Sequence, residues 1–408
     1  MFFKILNIKL NIKLIVIHIK TKIMKLVIVF CFMAVLGIQS LSIPTGTDEQ
    51  ILKVEDLLNQ LKNDAEGALS NVQIGGKTLL LKYYGKQSSK PITIVDDLSR
   101  SHFQTTYEHE FYHDAENHAS FTVSKLTDND GKTKTHLRGT ILENGKEIVI
   151  EPHENSVEKR SLDNDYDVVR VFSKPISGRL PTLEDGLHLQ LSKLNKRQTS
   201  LTQAYVETLV ICDYSCFTQH AGYAKSTVKE TVAQYVEAYL THVMNLADLH
   251  YQRSFEKDTQ LKISLFIKQF LILTTASASK FTTDPSVFMT VNGQSKDAQG
   301  RQYVNGDNSL NNFNNWLIEQ TQGGLLPTFD TAVAFVYNNL FTSSADLLGI
   351  APMSGTCVSG RNGVLVEDNG NYGSGSTAAH ELAHNLGKAS NNLIINLMGL
   401  VNFTSDRA

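Results

Sequence analysis

The sequence predicts a mixed α/β fold over its second half, preceded by a β-rich first part. Three observations carry this. Residues 44–200 hold short stretches of alternating apolar and polar residues, separated by turn clusters. Residues 201–408 alternate apolar strand-like runs with helical repeats. The composition is that of an ordinary globular chain: 408 residues, 41% hydrophobic and 19% charged, which excludes disorder, collagen and coiled coil. The length leaves room for two or three domains, each with its own core. A net charge of −3, from 38 basic and 41 acidic residues, gives no footprint for nucleic acid, so no nucleic-acid partner is expected. Four cysteines are too few for a disulfide scaffold.

In the first part, strands are expected at Thr78–Leu81 with Tyr83–Tyr84, Phe103–His113, Ser120–Leu126 and Lys146–Ile150. The breaks between them are Gly75-Gly76, DNDG at 128–131 and ENG at 143–145. In the second part, Val206–Ile211 is a short apolar strand. Val228, Val232, Val236, Leu240 and Val243 recur every three or four residues, which predicts an amphipathic helix over 224–250. Lys262–Leu273 is strand-like, and Leu310, Phe313 and Leu317 mark a helix ending before Gly323-Gly324. Ala332–Tyr337 and Val364–Glu367 are two further strands.

The N-terminus reads as a targeting segment. Residues 24–42, MKLVIVFCFMAVLGIQSLS, give a basic Lys25, an apolar run Leu26–Leu36 and small residues Ser40 and Ser42. That is the order of a secretory signal, with cleavage after Ser42. Met24 is the favoured start, and the Ile- and Lys-rich residues before it read as an upstream leader; the alternative is one long N-terminal anchor. Residues 1–42 are therefore expected to be leader and signal peptide. No second apolar run approaches the ~20 residues of a membrane span, so a secreted, extracellular chain with no stable span after signal removal is expected. The dibasic pair Lys196-Arg197, in a polar stretch, is the expected processing site, and Lys159-Arg160 competes with it. This divides the chain into 43–197 and 198–408.

Residues 376–387, STAAHELAHNLG, carry the chemistry. His380, Glu381 and His384 form H-E-x-x-H. On a helix, positions i and i+4 share one face about 6 Å apart, so both imidazoles reach one zinc ion. Glu381 sits beside them, placed to take a proton from a metal-activated water. Ser376 or Thr377 is expected to cap the helix and Gly387 to end it. A second match, His109-Glu110 with His113 in TTYEHEFYHD, lies among alternating aromatic and β-branched residues. On a strand its histidines stand about 13 Å apart, too far for one metal, so this match is expected to be coincidental.

Taken together, these blocks resemble the catalytic domain of the reprolysin-type metalloproteases, the ADAM and ADAMTS relatives within the metzincins. The resemblance covers roughly 200–388. YVETLVICD (205–213) resembles the family's first strand, and Phe313 with Trp316 matches its Phe-x-x-Trp helix. FDTAVAFVY (329–337) resembles the following strand, and GIAPMSGTC (349–357) the glycine-alanine segment that leads to a cysteine. VLVEDNG (364–370) resembles its edge strand, and TAAHELAHNLG its zinc helix. More weakly, residues 110–152 are similar to the family's β-rich propeptide. The resemblance implies a mixed, mostly parallel sheet with an antiparallel edge strand, preceded by a β-rich propeptide over 43–197. It implies a secreted, zymogen-type zinc metalloendopeptidase acting on protein or peptide substrates, with zinc on His380 and His384 and Glu381 as general base. An extended peptide would pair with the edge strand near 364–368. The resemblance also suggests a calcium ion with Glu207 as one ligand.

Three departures from the family stand out. Ser390 occupies the place of the third zinc histidine in H-E-x-x-H-x-x-G-x-x-H. Only 21 residues follow Gly387, without the family's methionine turn; Met398 is a poor match in spacing. The first part has no cysteine between 32 and 211, so a cysteine switch cannot hold the site latent. Residues 388–408 are expected to be an unrelated ending, from a truncated or misjoined transcript, and the Asn402 glycosylation sequon matters only if that ending is genuine. After signal removal Cys212, Cys216 and Cys357 remain. The first two pair only if the chain turns sharply between them, and the resemblance pairs Cys357 with a cysteine beyond the zinc helix. The alternative function is a catalytically inactive pseudoprotease, binding peptides or proteins on the same fold.

Overall fold

The computed structural model describes residues 50–62, 65–74, 76–97, 99–127, 133–143, 146–153, 168–175, 202–254, 261–342 and 346–387. The signal-like segment, both dibasic pairs, Ser390 and the whole 388–408 ending lie outside the described residues. Those described belong to one compact unit.

The first part is almost entirely strand. It runs β1 (Gln50–Lys53), a short helix α1 (Val54–Leu58), β2 (Leu69–Ile74), β3 (Lys77–Ser88), β4 (Ile92–Val95), β5 (Arg100–Phe103), β6 (Tyr107–Asp114), β7 (Ala119–Thr127), β8 (Thr133–Glu143), β9 (Lys146–His153) and β10 (Val168–Pro175). Eight of these form one antiparallel sheet in the order β1-β10-β9-β8-β7-β6-β3-β2. Strand β2 alternates strictly between exposed and buried, with Val72 and Ile74 turned inward, as a half-buried strand requires. The stretch expected as one strand over 103–113 is two, because β5 ends at Phe103 and joins a different sheet from β6.

The second part supplies β11 (Thr202–Cys212), α2 (Tyr214–Tyr223), α3 (Lys229–Ser254), β12 (Leu261–Leu273), β13 (Tyr303–Asn305), α4 (Gly306–Gln322), β14 (Thr331–Val336), β15 (Asn339–Phe341), β16 (Asp346–Leu347), β17 (Gly349–Ile350), β18 (Gly363–Glu367) and α5 (Ser374–Asn385). Its main sheet has the order β17-β18-β14-β11-β12-β4-β5. The pairs β18–β14, β14–β11, β11–β12 and β12–β4 are parallel; β17 and β5 run antiparallel at the two ends. Parallel strands are buried on both faces, and every residue of β14 and β18 is buried. Val210, Val333 and Val364 pack against α3 and α5, while Leu209, Ile211, Ala332 and Ala334 pack against Phe313 and Leu317 of α4. The period of two therefore divides each strand between two helical layers.

Several expectations are corrected. The edge strand is β17, not 364–368: β18 lies between β14 and β17. A two-residue strand leaves no periodicity to read, and the fully apolar β18 resembles any buried strand. The long helix starts at Lys229, five residues after the predicted 224, because Lys225 takes a positive φ of 46° and the Ser226 hydroxyl accepts from the Val228 amide. Cys212 and Cys216 do pair, since Asp213 turns the chain sharply out of β11 and caps α2 by accepting from the Cys216 amide at 2.8 Å.

Candidate active site

Helix α5 carries the H-E-x-x-H residues. It begins at Ser374, two residues before the expected cap, with Gly373 at the cap position and no side-chain cap. Asn371 organises this entry, its Oδ1 accepting from the Gly373 amide at 3.1 Å and its carbonyl accepting from the Ser374 hydroxyl at 3.1 Å. Ser376 instead meets His250 Nε2 at 3.0 Å. The helix ends as expected at Gly387, whose φ of +97° is open to glycine and whose amide donates to the His384 carbonyl at 2.9 Å.

Helix α3 fixes α5 from behind. Tyr251 donates its hydroxyl to the Ala379 carbonyl at 3.0 Å. At Gly375 the helices approach so closely that a Cβ there would lie 2.7 Å from the Val243 carbonyl oxygen. The metal-site helix is thus held by a packed partner rather than by its own cap.

On the face so positioned, His380 and His384 turn their Nε2 atoms to within 3.0 Å of each other, with the rings at 83°. Two nitrogens each about 2.0–2.1 Å from one tetrahedral zinc would be separated by about 3.3 Å, so the pair fits two of its ligand positions. Both histidines and Glu381 are buried. Burial, and the neighbouring His384, push the His380 imidazole down to about 4, so it stays neutral and able to bind metal at neutral pH. Burial pushes the Glu381 carboxyl up to about 8. Its Oε1 and the His380 Nδ1 have no hydrogen-bond partner among the described residues. A cation held by the two imidazoles would reverse the penalty on a charged Glu381.

Two further residues shape the site, and neither was singled out from the sequence. Gly349 of the edge strand β17 lies against Glu381: a Cβ there would stand 2.7 Å from Glu381 Cγ and 2.9 Å from Thr377 Cγ2. Asn385, directly after His384, is fully buried and uses its whole amide. Its Oδ1 accepts from Thr331 and Thr356 at 3.2 and 3.0 Å, and its Nδ2 donates to the Pro352 and Arg361 carbonyls at 3.3 and 2.9 Å. It ties the end of α5 to β14 and to the 352–361 loop. Its place next to the motif was a usable signal; for Gly349 there was none short of the tertiary contact.

The remaining candidates do not join this site. His109 and His113 lie on strand β6, as expected, and face α3 through Glu237 and Asn245. Glu207 is ion-paired to Lys268 at 2.6 Å. Cys357 is a free, exposed thiol donating to Asp330 at 3.3 Å. Among the described residues, one group of three potential ligands lies within 4.8 Å, Cys216, His220 and Asp368, and none of these comes from α5. Its Cys216 is consumed in the disulfide, and Asp368 is held by His220 at 3.0 Å and by the Tyr239 hydroxyl at 2.7 Å, so the group is a structural network.

A parallel sheet whose antiparallel edge strand stands over a buried H-E-x-x-H helix defines a metallopeptidase domain. Residues 237–389 match the model of metallo-peptidase family M12B, Reprolysin-like. That span takes in α3 from Glu237 onward, the sheet strands from β12 to β18 and the whole of α5. Among solved structures the chain is similar to archaemetzincin from Methanopyrus kandleri, at 9% identity and a TM-score of 0.22, over 47% of this chain and 86% of that one. No curated protein matches.

Proposed function

We propose that this chain is a zinc-dependent endopeptidase in which His380 and His384 hold the metal and Glu381 is the general base. The convergence of the two buried Nε2 atoms at 3.0 Å, with the Glu381 carboxylate on the same helix face, carries this reading. A bound zinc ion would supply Lewis acidity to the scissile carbonyl and to a water. Glu381 accepts the proton of the attacking water and delivers it to the leaving amine. Burial serves this role, since a carboxylate in a dry site is a stronger base than one in water. Gly349 keeps the edge strand close over Glu381, and an extended substrate adds to β17 through main-chain hydrogen bonds. The first part acts as a propeptide, severed from the second at Lys196-Arg197 in a secreted zymogen.

The test is peptide cleavage by the full chain, wild type against Glu381→Gln, with bound metal measured in both. Loss of cleavage with metal retained supports the role; cleavage surviving in a pure Glu381→Gln sample refutes it. One observation favours a second reading, a non-catalytic binding protein on this fold. Among the described residues no third His, Cys, Asp or Glu joins His380 and His384, and Ser390 stands at the family's third position in sequence. That reading predicts a chain that holds peptides but carries no zinc after dialysis.

A further inference from the structure

The second H-E-x-x-H leads away from the metal. Strand β6 lays His109 and His113 along helix α3, where His109 Nε2 meets Glu237 Oε1 at 2.9 Å and His113 Nε2 meets Asn245 Oδ1 at 2.6 Å. The spacings match: four residues of strand span about 13 Å and eight of helix about 12 Å. Between them His242 of α3 inserts into the sheet, its Nδ1 at 2.9 Å from Thr122 Oγ1 and its Nε2 at 3.0 Å from Thr140 Oγ1. Asn245 also donates to Ser120 at 2.9 Å and Thr122 at 3.1 Å, Glu237 accepts from Ser89 at 3.0 Å, and Arg253 reaches His118. This is a buried polar seam where two secondary-structure layers would ordinarily meet through apolar side chains.

A second grip lies at the edge of the main sheet. Strand β4 of the first part pairs in parallel with β12, from Ile92 against Phe270 to Val95 against Leu273. Ile92 and Ile94 enter the same core as Val236 and Tyr239 of α3. The third contact is at the entry to the metal helix: the carboxylate of Glu147, on β9, would lie 3.4 Å from a Cβ added at Gly373.

We infer that residues 50–175 are a non-covalent clamp on the back of α3, which stays bound after the connecting segment is cut at neutral pH and is released by acid through His113, His118 and His242. This rests on the fold and not on the metal pair being catalytic.

The groups facing each histidine decide the sign. His242 is fully buried, faced by the Tyr372 ring, the two threonine hydroxyls, Arg138 and His113, with no carboxylate in contact among the described residues. His113 is faced by Asn245, the Tyr84 ring and His250, and its Nδ1 is buried without a hydrogen-bond partner among the described residues. A proton there would place both a charge and an unpaired donor in the seam. His118 is faced by Arg253, His250 and Lys77, with Asp114 the one opposing charge. His109 differs, because the Glu237 carboxylate lies against its Nε2 at 2.9 Å. Burial holds His113 down to about 4 and, with Arg253, His118 down to about 3; it holds His242 well below its ordinary range. Docking is therefore strongest when these rings are neutral, and it weakens as pH falls through the free imidazole value. Glu147 opposes this. Burial pushes it up to about 7, against the pull of Lys174 and with that of Glu151, so it favours docking as pH falls. From pH 7.5 to pH 5, His113 and His118 each weaken docking by about 30-fold, His242 adds to that loss and Glu147 returns about 60-fold, leaving a net loss of more than about tenfold.

The experiment uses the full chain with a site-specific protease sequence placed between 176 and 201, cut after folding and run on size exclusion across pH 7.5 to 5. The two fragments are expected to co-elute at pH 7.5 and to separate near pH 5. His242→Gln, chosen to keep both threonine hydrogen bonds, should move the separation to lower pH. Glu147→Gln should move it to higher pH. The second variant keeps the test decisive if the first does not fold. Separation at pH 7.5, co-elution throughout, or a Glu147→Gln midpoint that stays in place or falls would overturn the inference.

Discussion

Substituting Gly349 by alanine probes the contact between the edge strand and Glu381, the proposed general base. The new Cβ would lie 2.7 Å from Glu381 Cγ, 2.9 Å from Thr377 Cγ2 and 3.0 Å from the Leu365 carbonyl oxygen. All three are closer than ordinary van der Waals contact. One neighbour belongs to the backbone of β18 and another to the metal helix, so little can yield except Glu381 or β17 itself. Inserting one methyl group into a packed interior costs about 1–3 kcal/mol. At about 2–4 °C per kcal/mol for a domain of this size, the melting temperature should fall by roughly 2–12 °C. The displacement falls on Glu381, and for the proposed general base a shift of about 1 Å can cost on the order of 100-fold in kcat. The assay is thermal unfolding and peptide cleavage on Gly349→Ala, with Gly222→Ala as the control. Gly222 lies in α2 with nothing within 4 Å of an added Cβ, so the control should be neutral or stabilised by about 1 kcal/mol. A Gly349→Ala chain that matches wild type in both measurements would refute the packing argument.

Three other outcomes follow from the same geometry. Asn385→Ala removes four hydrogen bonds, among them those to the buried Thr331 hydroxyl and to the Pro352 and Arg361 carbonyls, so it should cost about 2–4 kcal/mol in denaturant unfolding; a loss below about 1 kcal/mol would show that the loop relaxes freely. In metal-free protein the buried Glu381 is held up to about 8, above its unfolded value, so the stability it contributes is present in acid and lost as pH rises through 8. Asp248, held up to about 7 by burial, acts in the same direction. The melting temperature of the metal-free chain should therefore fall from pH 6.5 to 8.5, and Glu381→Gln should flatten that fall; an unchanged slope would place the Glu381 carboxyl in water. Gly375→Val should separate α5 from α3, because even a Cβ would meet the Val243 carbonyl at 2.7 Å, and metal binding should weaken together with stability. Metal retention at wild-type affinity would show that α3 does not position the helix.

How much of this was legible depended on whether a feature was local. Strands β3, β6, β7 and β9 declared themselves by alternation, β14 by its unbroken apolar run and α4 by its Leu310, Phe313 and Leu317 spacing, whereas β1, β2, β4, β8 and β10 gave no comparable signal. The helix that carries His380, Glu381 and His384 was legible from its motif, and the alternation around His109 and His113 is that of the strand they occupy. Features built by chain-distant contacts were not legible. Nothing in Ile92–Val95 indicates that it pairs with β12 rather than with its own neighbours. The two-residue β17 carries no periodicity, so β18 was taken for the edge. The start of α5 was misplaced because Ser376 looks like a cap, while its hydroxyl meets His250 of another helix. The seam was hidden for a related reason: Glu237, His242 and Asn245 read as the solvent face of an amphipathic α3, and they face a second sheet instead.

The central claim is that His380 and His384 hold a metal. The direct measurement is zinc per chain by native mass spectrometry on the full-length protein after dialysis, wild type beside His384→Gln. The account predicts close to one zinc in the wild type and close to none in the variant. A wild type without zinc, or equal zinc in both, would contradict it.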